Sequence, residues 1–389
     1  MFKDVVEFNM KGQNIKMALV HDWFNQAGGA EKVVKEILLC FPEADVFCLF
    51  DFFDSKDRNH YLMGKKTYKS FIQHIPHAKK RYRNLFPLFP LAIESLDLSG
   101  YDVIISSSSC VAKGVKRKPG QLHISYCHSP ARYAWDLKEE YLNVVRTSLA
   151  RSVLKYFFGR LREWDKKSSN RVDYFIANSA FVSNRIKTFF GRDSTVIYPP
   201  VNVNMKDVEG SRSDIYITVS RLVTYKNVDM IVEAFRQMPE LKLEVAGDGI
   251  LRKKILKNLP PNVTYLGYID DETKRRKIST AKAFIAAATE DFGISIVEAQ
   301  SYCTPVIIPC VGGYKETVNE KTGVFFPNKT IEDMVHTIRA FHNNQKIFHK
   351  KDFEENIRRF SEERFRSEFK AFINEKIEMH FGNRNLEKK

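Results

Sequence analysis

The 389-residue sequence predicts two doubly wound α/β domains, each built on a parallel sheet and facing each other across a cleft. Three observations carry this. Short apolar runs alternate with segments of helical spacing along most of the chain. A proline-rich break, Tyr198-Pro199-Pro200-Val201-Asn202, separates two such series. In both series, polar or glycine-containing turns follow the strand-like runs, at the strand ends where open α/β sheets bind ligands.

The first series starts with a buried-strand run from Met17 to Val20. It leads through His21-Asp22-Trp23 and a glycine loop at Gly28-Gly29 into an amphipathic helix carrying Val33, Val34, Ile37 and Leu38. Further strands are expected at Val46 to Leu49, Val103 to Ile105, Ile124 to Cys127 and Phe175 to Ala177, with a long basic helix from about Thr147 to Lys167. The second series places strands at Ile215 to Val219, Leu243 to Ala246, Val263 to Leu266, Ala283 to Ala287 and Val306 to Ile308. The expected domains are 1–200 and 201–360. A C-terminal helix over 361–389, striped with Phe365, Phe369, Phe372, Ile373 and Ile377, is expected to pack back on the first domain.

Composition excludes several classes. At 43% apolar residues, with 30 Phe and 16 Tyr, the chain can build substantial cores, and global disorder is excluded. No apolar run approaches the roughly 18–20 residues of a membrane span, and Met1 to Asn14 has no secretory h-region. Cys40, Cys48, Cys110, Cys127, Cys303 and Cys310 show no paired spacing and suit buried thiols, so a cytoplasmic setting is expected. Residues 1–200 hold 31 Lys and Arg against 20 Asp and Glu, while the remainder holds 31 against 27. Within 56–90, nine basic residues face Asp57 alone, and Lys79-Lys80-Arg81-Tyr82-Arg83 precedes an apolar run from Leu85 to Leu91. Such a segment suits peripheral contact with an anionic membrane; nucleic acid is the competing partner, and a solvated basic face is the simplest alternative.

Chemistry-bearing residues cluster after strands. Glu290 and Glu298 bracket a strand-to-helix turn, with Ile294, Val297, Ser301 and Tyr302 available to one helix face. Gly293 permits close approach of a bound group, and the N–H groups of the helix start favour an anion. Two carboxylates beside an anion site suit a ligand carrying both hydroxyls and phosphate, although a Glu near a helix start also complements the helix dipole. Arg221 and Lys226 follow the first strand of the second series, where guanidinium and ammonium can hold and neutralise a diphosphate. Gly247 and Gly249 flank Asp248 after the next strand, and Gly312-Gly313 follows another; plain turns explain these glycines equally well. His128 ends a strand of the first series and can donate to a sugar hydroxyl or stabilise positive charge through its carbonyl, although a lone histidine is more often structural. There is no Asp-x-Asp and no zinc-type His/Cys spacing, so no metal cofactor is expected.

Ser220-Arg221-Leu222, Lys226-Asn227, Ala246-Gly247-Asp248-Gly249, Glu290-x7-Glu298 and Gly312-Gly313-x-x-Glu316 occur in this order. They resemble the second domain of the retaining GT-B glycosyltransferases of family 4, whose domains are Rossmann-like. His21-Asp22-Trp23, Gly28-Gly29-Ala30-Glu31 and the stretch from Tyr126 to Asp136 resemble the first domain of the bacterial O-antigen and capsule mannosyltransferases of that family. The resemblance covers roughly residues 16–327. It implies transfer of a hexose, mannose from GDP-mannose, to a lipid-diphosphate-linked glycan at the inner face of the cytoplasmic membrane, with retained anomeric configuration.

By position it implies that Arg221 and Lys226 bind the donor diphosphate, Glu290 the hydroxyls of the sugar and Glu298 the ribose. His128 would contact the sugar near its reacting carbon, and Gly28-Gly29 would let a loop close over the donor. Gly247 would border the donor, and Phe292, Gly293 and Ile294 would present backbone amides to it. Asp22 and Arg132 are acceptor-binding candidates. A sugar-nucleotide epimerase or phosphorylase of the same fold, or a nucleic-acid-binding protein, are the alternatives.

Overall fold

The structure is a computed structural model that describes residues 9–10, 13–143, 145, 147–203, 212–344 and 346–382. Most of the Met1–Asn14 segment, assessed above for a leader, lies outside the described residues. The chain divides into two compact units, Met1–Pro200 with Glu363–Lys389, and Val201–Glu362.

In the first unit a short antiparallel pair, β1 (Asn9–Met10) and β2 (Gln13–Asn14), precedes a seven-stranded sheet. That sheet comprises β3 (Met17–His21), β4 (Asp45–Cys48), β5 (Thr67–Lys69), β6 (Val103–Ser108), β7 (Leu122–Cys127), β8 (Tyr174–Ala177) and β9 (Ser194–Val196). Its order is β5-β4-β3-β6-β7-β8-β9 and every pairing is parallel. The strand order therefore reverses between β3 and β6. All residues of β3, β6 and β7 are buried, as expected of strands covered on both faces. The edge strands β5 and β9 were not anticipated, because three residues of mixed polarity give no periodic signal.

One face of this sheet is covered by the helix Gly29–Cys40 and by Phe365, Phe369, Ile373 and Ile377 of the C-terminal helix Glu362–Gly382. Phe365 and Phe369 stack on each other and meet Tyr126 of β7 edge-on. On the other face the basic helix Ser148–Ser168 is pinned by a buried ion pair, Lys113 with Asp165. Asp165 also accepts from Trp135 Nε1 at 2.8 Å, so both of its oxygens are satisfied in a dry environment.

The second unit holds a six-stranded parallel sheet: β10 (Ile215–Val219), β11 (Lys242–Ala246), β12 (Val263–Gly267), β13 (Phe284–Ile285), β14 (Val306–Pro309) and β15 (Gly323–Phe326). Its order, β12-β11-β10-β13-β14-β15, reverses between β10 and β13. The helix Ile294–Ser301 follows β13 and buries Ile296, Val297, Ala299, Gln300 and Ser301, while Ile294 and Tyr302 are half-buried. Burial is thus not confined to the face expected from Ile294, Val297, Ser301 and Tyr302. A second helix, Lys350–Arg358, accounts for the polar part: Asn356 donates to Gln300 Oε1 at 2.6 Å. Cys40, Cys48, Cys110 and Cys127 are buried, but Cys303 and Cys310 are only half-buried; all six are thiols.

Candidate active site

Each sheet places part of its sequence motifs at the switch point, where helices leave neighbouring strands in opposite directions and open a crevice, and the rest beyond the adjacent strands. In the second unit, Arg221 and Lys226 come from the loop after β10, and Glu290 from the loop after β13. Lys226 Nζ donates to the Glu290 carboxylate, and each side chain retains about a fifth of its exposure, at 20% and 17%. Arg221 Nη2 donates to the Tyr225 hydroxyl at 2.6 Å, and Lys226 Nζ lies 5.5 Å from the Tyr225 ring centroid. Tyr225 thereby links the two cations, a role carried by no feature of the sequence motif.

The backbone around this pair is laced together. Asn227, in the left-handed region at φ 51°, donates through Nδ2 to the Ala287 carbonyl at 3.1 Å and so ties the two loops. Glu290 O accepts from Gly313 N at 2.9 Å. Gly247 has a φ of +131°, and a Cβ there would stand 1.8 Å from the Ser220 carbonyl oxygen. Its conformation and its contact both require glycine, so Gly247 shapes the floor beneath Arg221 whatever it touches besides.

Gly293, at φ +93°, caps the helix Ile294–Ser301, and a Cβ would meet Tyr314 Cε1 at 2.7 Å. Ile296 N already donates to Gly293 O at 2.9 Å, which leaves the Ile294 and Ser295 N–H groups without an intrahelical acceptor and able to face an anion. Phe292 itself is 3% exposed and packs edge-on against Phe360 at 5.2 Å. Its side chain is core, which leaves the backbone for any ligand role. Glu298 answers a different cation, Lys274, at 3.8 Å. Lys274 in turn pairs with Asp271 at 2.9 Å.

In the first unit, His21 ends β3 and lies in register with Ser107 of β6 across the switch point. His21 Nδ1 is 3.0 Å from Ser107 O and 3.1 Å from Ser107 Oγ, while His21 Nε2 is 3.6 Å from Glu31 Oε1. Ser107 Oγ lies 2.8 Å from His128 Nε2. His128 N donates to Ser108 O at 2.9 Å, and Asn178 Nδ2 donates to His128 O at 2.9 Å. Burial opposes the charged form of His21, but Glu31, Asp22 and the Ser107 carbonyl outweigh it and raise its pKa. Burial, then repulsion from His21, drives His128 down to about 3. His128 is therefore a neutral imidazole at neutral pH, while His21 holds a proton more strongly than a free histidine.

Gly28 caps the helix Gly29–Cys40 with an extended backbone at φ −159°, which any residue adopts. A Cβ at Gly28 would stand 3.0 Å from Glu31 Oε2, so the glycine leaves room for the carboxylate that pairs with His21. Asp22 does not lie open to an acceptor. It is 2% exposed, and its oxygens accept from Ser109 N at 2.6 Å and from Val111 N and Ala112 N at 2.7 Å. A carboxylate so placed holds the loop after β6, which corrects the expectation of acceptor contact. Arg132 faces Asp136 at 3.6 Å, and Asp136 also accepts from Arg185 at 2.6 Å. Glu31 and Ser107 were not anticipated as site residues; Glu31 was visible only as part of the Gly28-Gly29-Ala30-Glu31 motif.

The basic, aromatic segment also differs from expectation. Tyr82 and Phe89 pack on Trp23 and Phe50, and Phe86 packs on Tyr133, Phe157 and Phe158. The segment still exposes Tyr68 at 53%, Phe71 at 45% and Leu91 at 63%, and the basic helix exposes Leu149, Val153 and Tyr156 at 75%, 48% and 62% along one side.

A family profile described as glycosyltransferase family 4 matches residues 27–205, and one described as glycosyl transferases group 1 matches residues 204–360. The chain belongs to the GT-B glycosyltransferases. Its relatives within this family are varied. A GDP-mannose-dependent monoacylated α-(1-6)-phosphatidylinositol monomannoside mannosyltransferase of Corynebacterium glutamicum is 25% identical over 43% of this chain and 52% of its own length. The α-monoglucosyldiacylglycerol synthase of Acholeplasma laidlawii is 30% identical over 36% of this chain and 38% of its own. The chain thus spans about half, or less, of the length of these curated relatives. Among solved structures, the lipopolysaccharide outer core galactosyltransferase WaaB shares 19% identity at a TM-score of 0.65, covering 93% of this chain and 100% of that one. Anabaena HepE in complex with UDP and glucose shares 17% identity at 0.65, covering 92% and 99%. At these identities the likeness is one of GT-B fold.

Proposed function

We propose that this GT-B chain is a retaining hexosyltransferase that moves mannose from GDP-mannose to a lipid-linked glycan in the assembly of O-antigen, capsule or a related polysaccharide. The observation that carries the reading is the Lys226–Glu290 pair at the switch point of the second unit, with Arg221 beside it and an open helix start after Gly293. One cation pair and one helix N-terminus suit a diphosphate, and a carboxylate at its side suits sugar hydroxyls. The mannosyl donor is supported by the name of the Corynebacterium relative, and a lipid acceptor by the names of both relatives above.

The chemistry follows from charge. As the glycosidic bond to phosphate breaks, negative charge grows on the departing diphosphate, and Arg221, Lys226 and the helix N–H groups stabilise it. That oxygen takes the acceptor proton and the acceptor enters on the same face, so configuration is retained. Glu290 and Glu298 hold donor hydroxyls and form no covalent intermediate. His128 meets the sugar. No metal is assigned a role.

The basic first unit places the enzyme on an anionic membrane surface through Leu149, Val153 and Tyr156, with Arg151, Lys155 and Arg160 exposed around them. Among the described residues no helix is long and apolar enough to cross a membrane.

The test is turnover of a panel of nucleotide sugars with a lipid-linked acceptor, following nucleoside diphosphate and extended acceptor together. Transfer from GDP-mannose is expected. Transfer left intact in all of Arg221→Ala, Lys226→Ala and Glu290→Ala would refute the site. Epimer formation without an acceptor would favour the epimerase alternative, and sugar phosphate formation the phosphorylase.

A further inference from the structure

We propose that Glu31, His21 and Ser107 form a relay of positioning residues that fixes His128 as the neutral imidazole carrying its proton on Nδ1, and so presents an N–H donor to the transferred sugar. This rests on the reading of His128 as a sugar contact, and it gives a role to His21 and Glu31, which stand in the first-unit motifs without one, and to Ser107, which stands in none.

Hydrogen-bond accounting gives the tautomer. The Ser107 carbonyl oxygen can only accept, so His21 Nδ1, 3.0 Å away, carries a proton. The same N–H reaches Ser107 Oγ at 3.1 Å, which occupies that oxygen as an acceptor. Ser107 is fully buried, so its own hydroxyl proton needs a partner, and His128 Nε2 stands 2.8 Å away. Donating there makes His128 Nε2 the acceptor. A neutral imidazole that accepts at Nε2 bears its proton at Nδ1.

The far end of the relay supports the same polarity. Glu31, 8% exposed, faces His21 Nε2 at 3.6 Å and favours a proton there too, which raises the pKa of His21 against the effect of burial. The other charged group near His21 is Asp22, whose carboxylate is committed to the loop at Ser109, Val111 and Ala112. Burial first, and then repulsion from His21, keeps His128 neutral. Tyr126, 5.1 Å from His128 between ring centroids, and Phe24, 4.9 Å from His21, pack uncharged rings against the two imidazoles.

Two measurements on the full chain decide the matter. Nitrogen-15 NMR of histidine-labelled protein, with His128→Asn for assignment, is expected to show the Nδ1–H tautomer at His128 and its change in Ser107→Ala. Ser107→Ala is expected to lower kcat 10- to 100-fold with donor KM held within about threefold, and Ser107→Thr to restore it. Glu31→Gln is expected to lower the pH at which His21 titrates in the same spectra, because Glu31 is what raises its pKa. A His128 spectrum unchanged by Ser107→Ala, or an Nε2–H tautomer in the parent protein, overturns the relay. If the parent protein turns over no nucleotide sugar, the proposed function falls, while the NMR result still decides whether the relay sets the tautomer.

Discussion

Lys226 and Glu290 form an ion pair across the switch point of the second sheet, one from the loop after β10 and the other from the loop after β13. The two residues answer each other's charge, so a diphosphate must draw Lys226 partly away from Glu290 while sugar hydroxyls take its place. Their two substitutions should therefore separate. Lys226→Ala is expected to weaken nucleoside diphosphate binding and to lower kcat/KM by roughly 10²–10³, the scale of losing one preorganised contact to developing charge. Glu290→Gln is expected to bind nucleoside diphosphate at least as tightly as the parent while losing kcat. Calorimetric titration with GDP and UDP beside initial rates checks both; parallel loss of nucleotide affinity in the two variants would contradict the division of roles.

Gly247 is the backbone position with least freedom in this site. A Cβ would collide with the Ser220 carbonyl 1.8 Å away, at a φ of +131° that side chains rarely adopt. Gly247→Ala should cost about 1–3 kcal/mol or more in stability, read as a lowered denaturant midpoint. Gly28→Ala, with extended backbone and a 3.0 Å approach to a movable carboxylate, should cost less stability. Its effect is expected on activity, through Glu31.

Acid should destabilise the first unit through two histidines. His123 and His128 are each driven by burial to about 3, from an ordinary value of 6.5. A histidine with a depressed folded pKa contributes stability that is present above 6.5 and is lost as pH falls toward 3. Unfolding in that window takes up a proton at each, a slope of about 1.4 kcal/mol per pH unit per histidine. His21 behaves oppositely: its raised pKa adds stability that is full below 6.5 and lost as pH rises through its folded value. Urea denaturation between pH 7 and 4 should show the acid loss, and His123→Gln should flatten it. A pH-independent midpoint would contradict it.

Vesicle binding should depend on the basic helix. With Leu149, Val153 and Tyr156 exposed at helical spacing, Leu149→Asp with Tyr156→Asp should lower binding to anionic vesicles about 10-fold or more. Binding should also weaken with salt and with removal of anionic lipid. Flotation with vesicles containing phosphatidylglycerol measures this, and binding indifferent to lipid charge would sink the membrane assignment.

Much of this was legible in the sequence because periodicity is local. β10 falls at Ile215–Val219, where its apolar run lies, and the expected Thr147 to Lys167 helix is Ser148–Ser168. Glycine turns and carboxylates after strands were readable for the same reason: strand ends and helix starts have their own residue chemistry. β5, β9 and β15 escaped, since three- and four-residue edge strands of mixed burial carry no period of their own.

What the amino-acid order determined, then, is the alternation of strand and helix and the placement of Arg221, Lys226, Glu290 and His128 just beyond strands. Only the tertiary structure decided which of them meet. Strand order, a non-local pairing, brings β3 beside β6 and β10 beside β13, and so creates the His21–Ser107 and Lys226–Glu290 contacts between residues 86 and 64 positions apart. It also decided that Asp22 turns inward, that Phe89 is buried and that Tyr82 packs half-buried on Trp23, because desolvation depends on neighbours that sequence spacing cannot count.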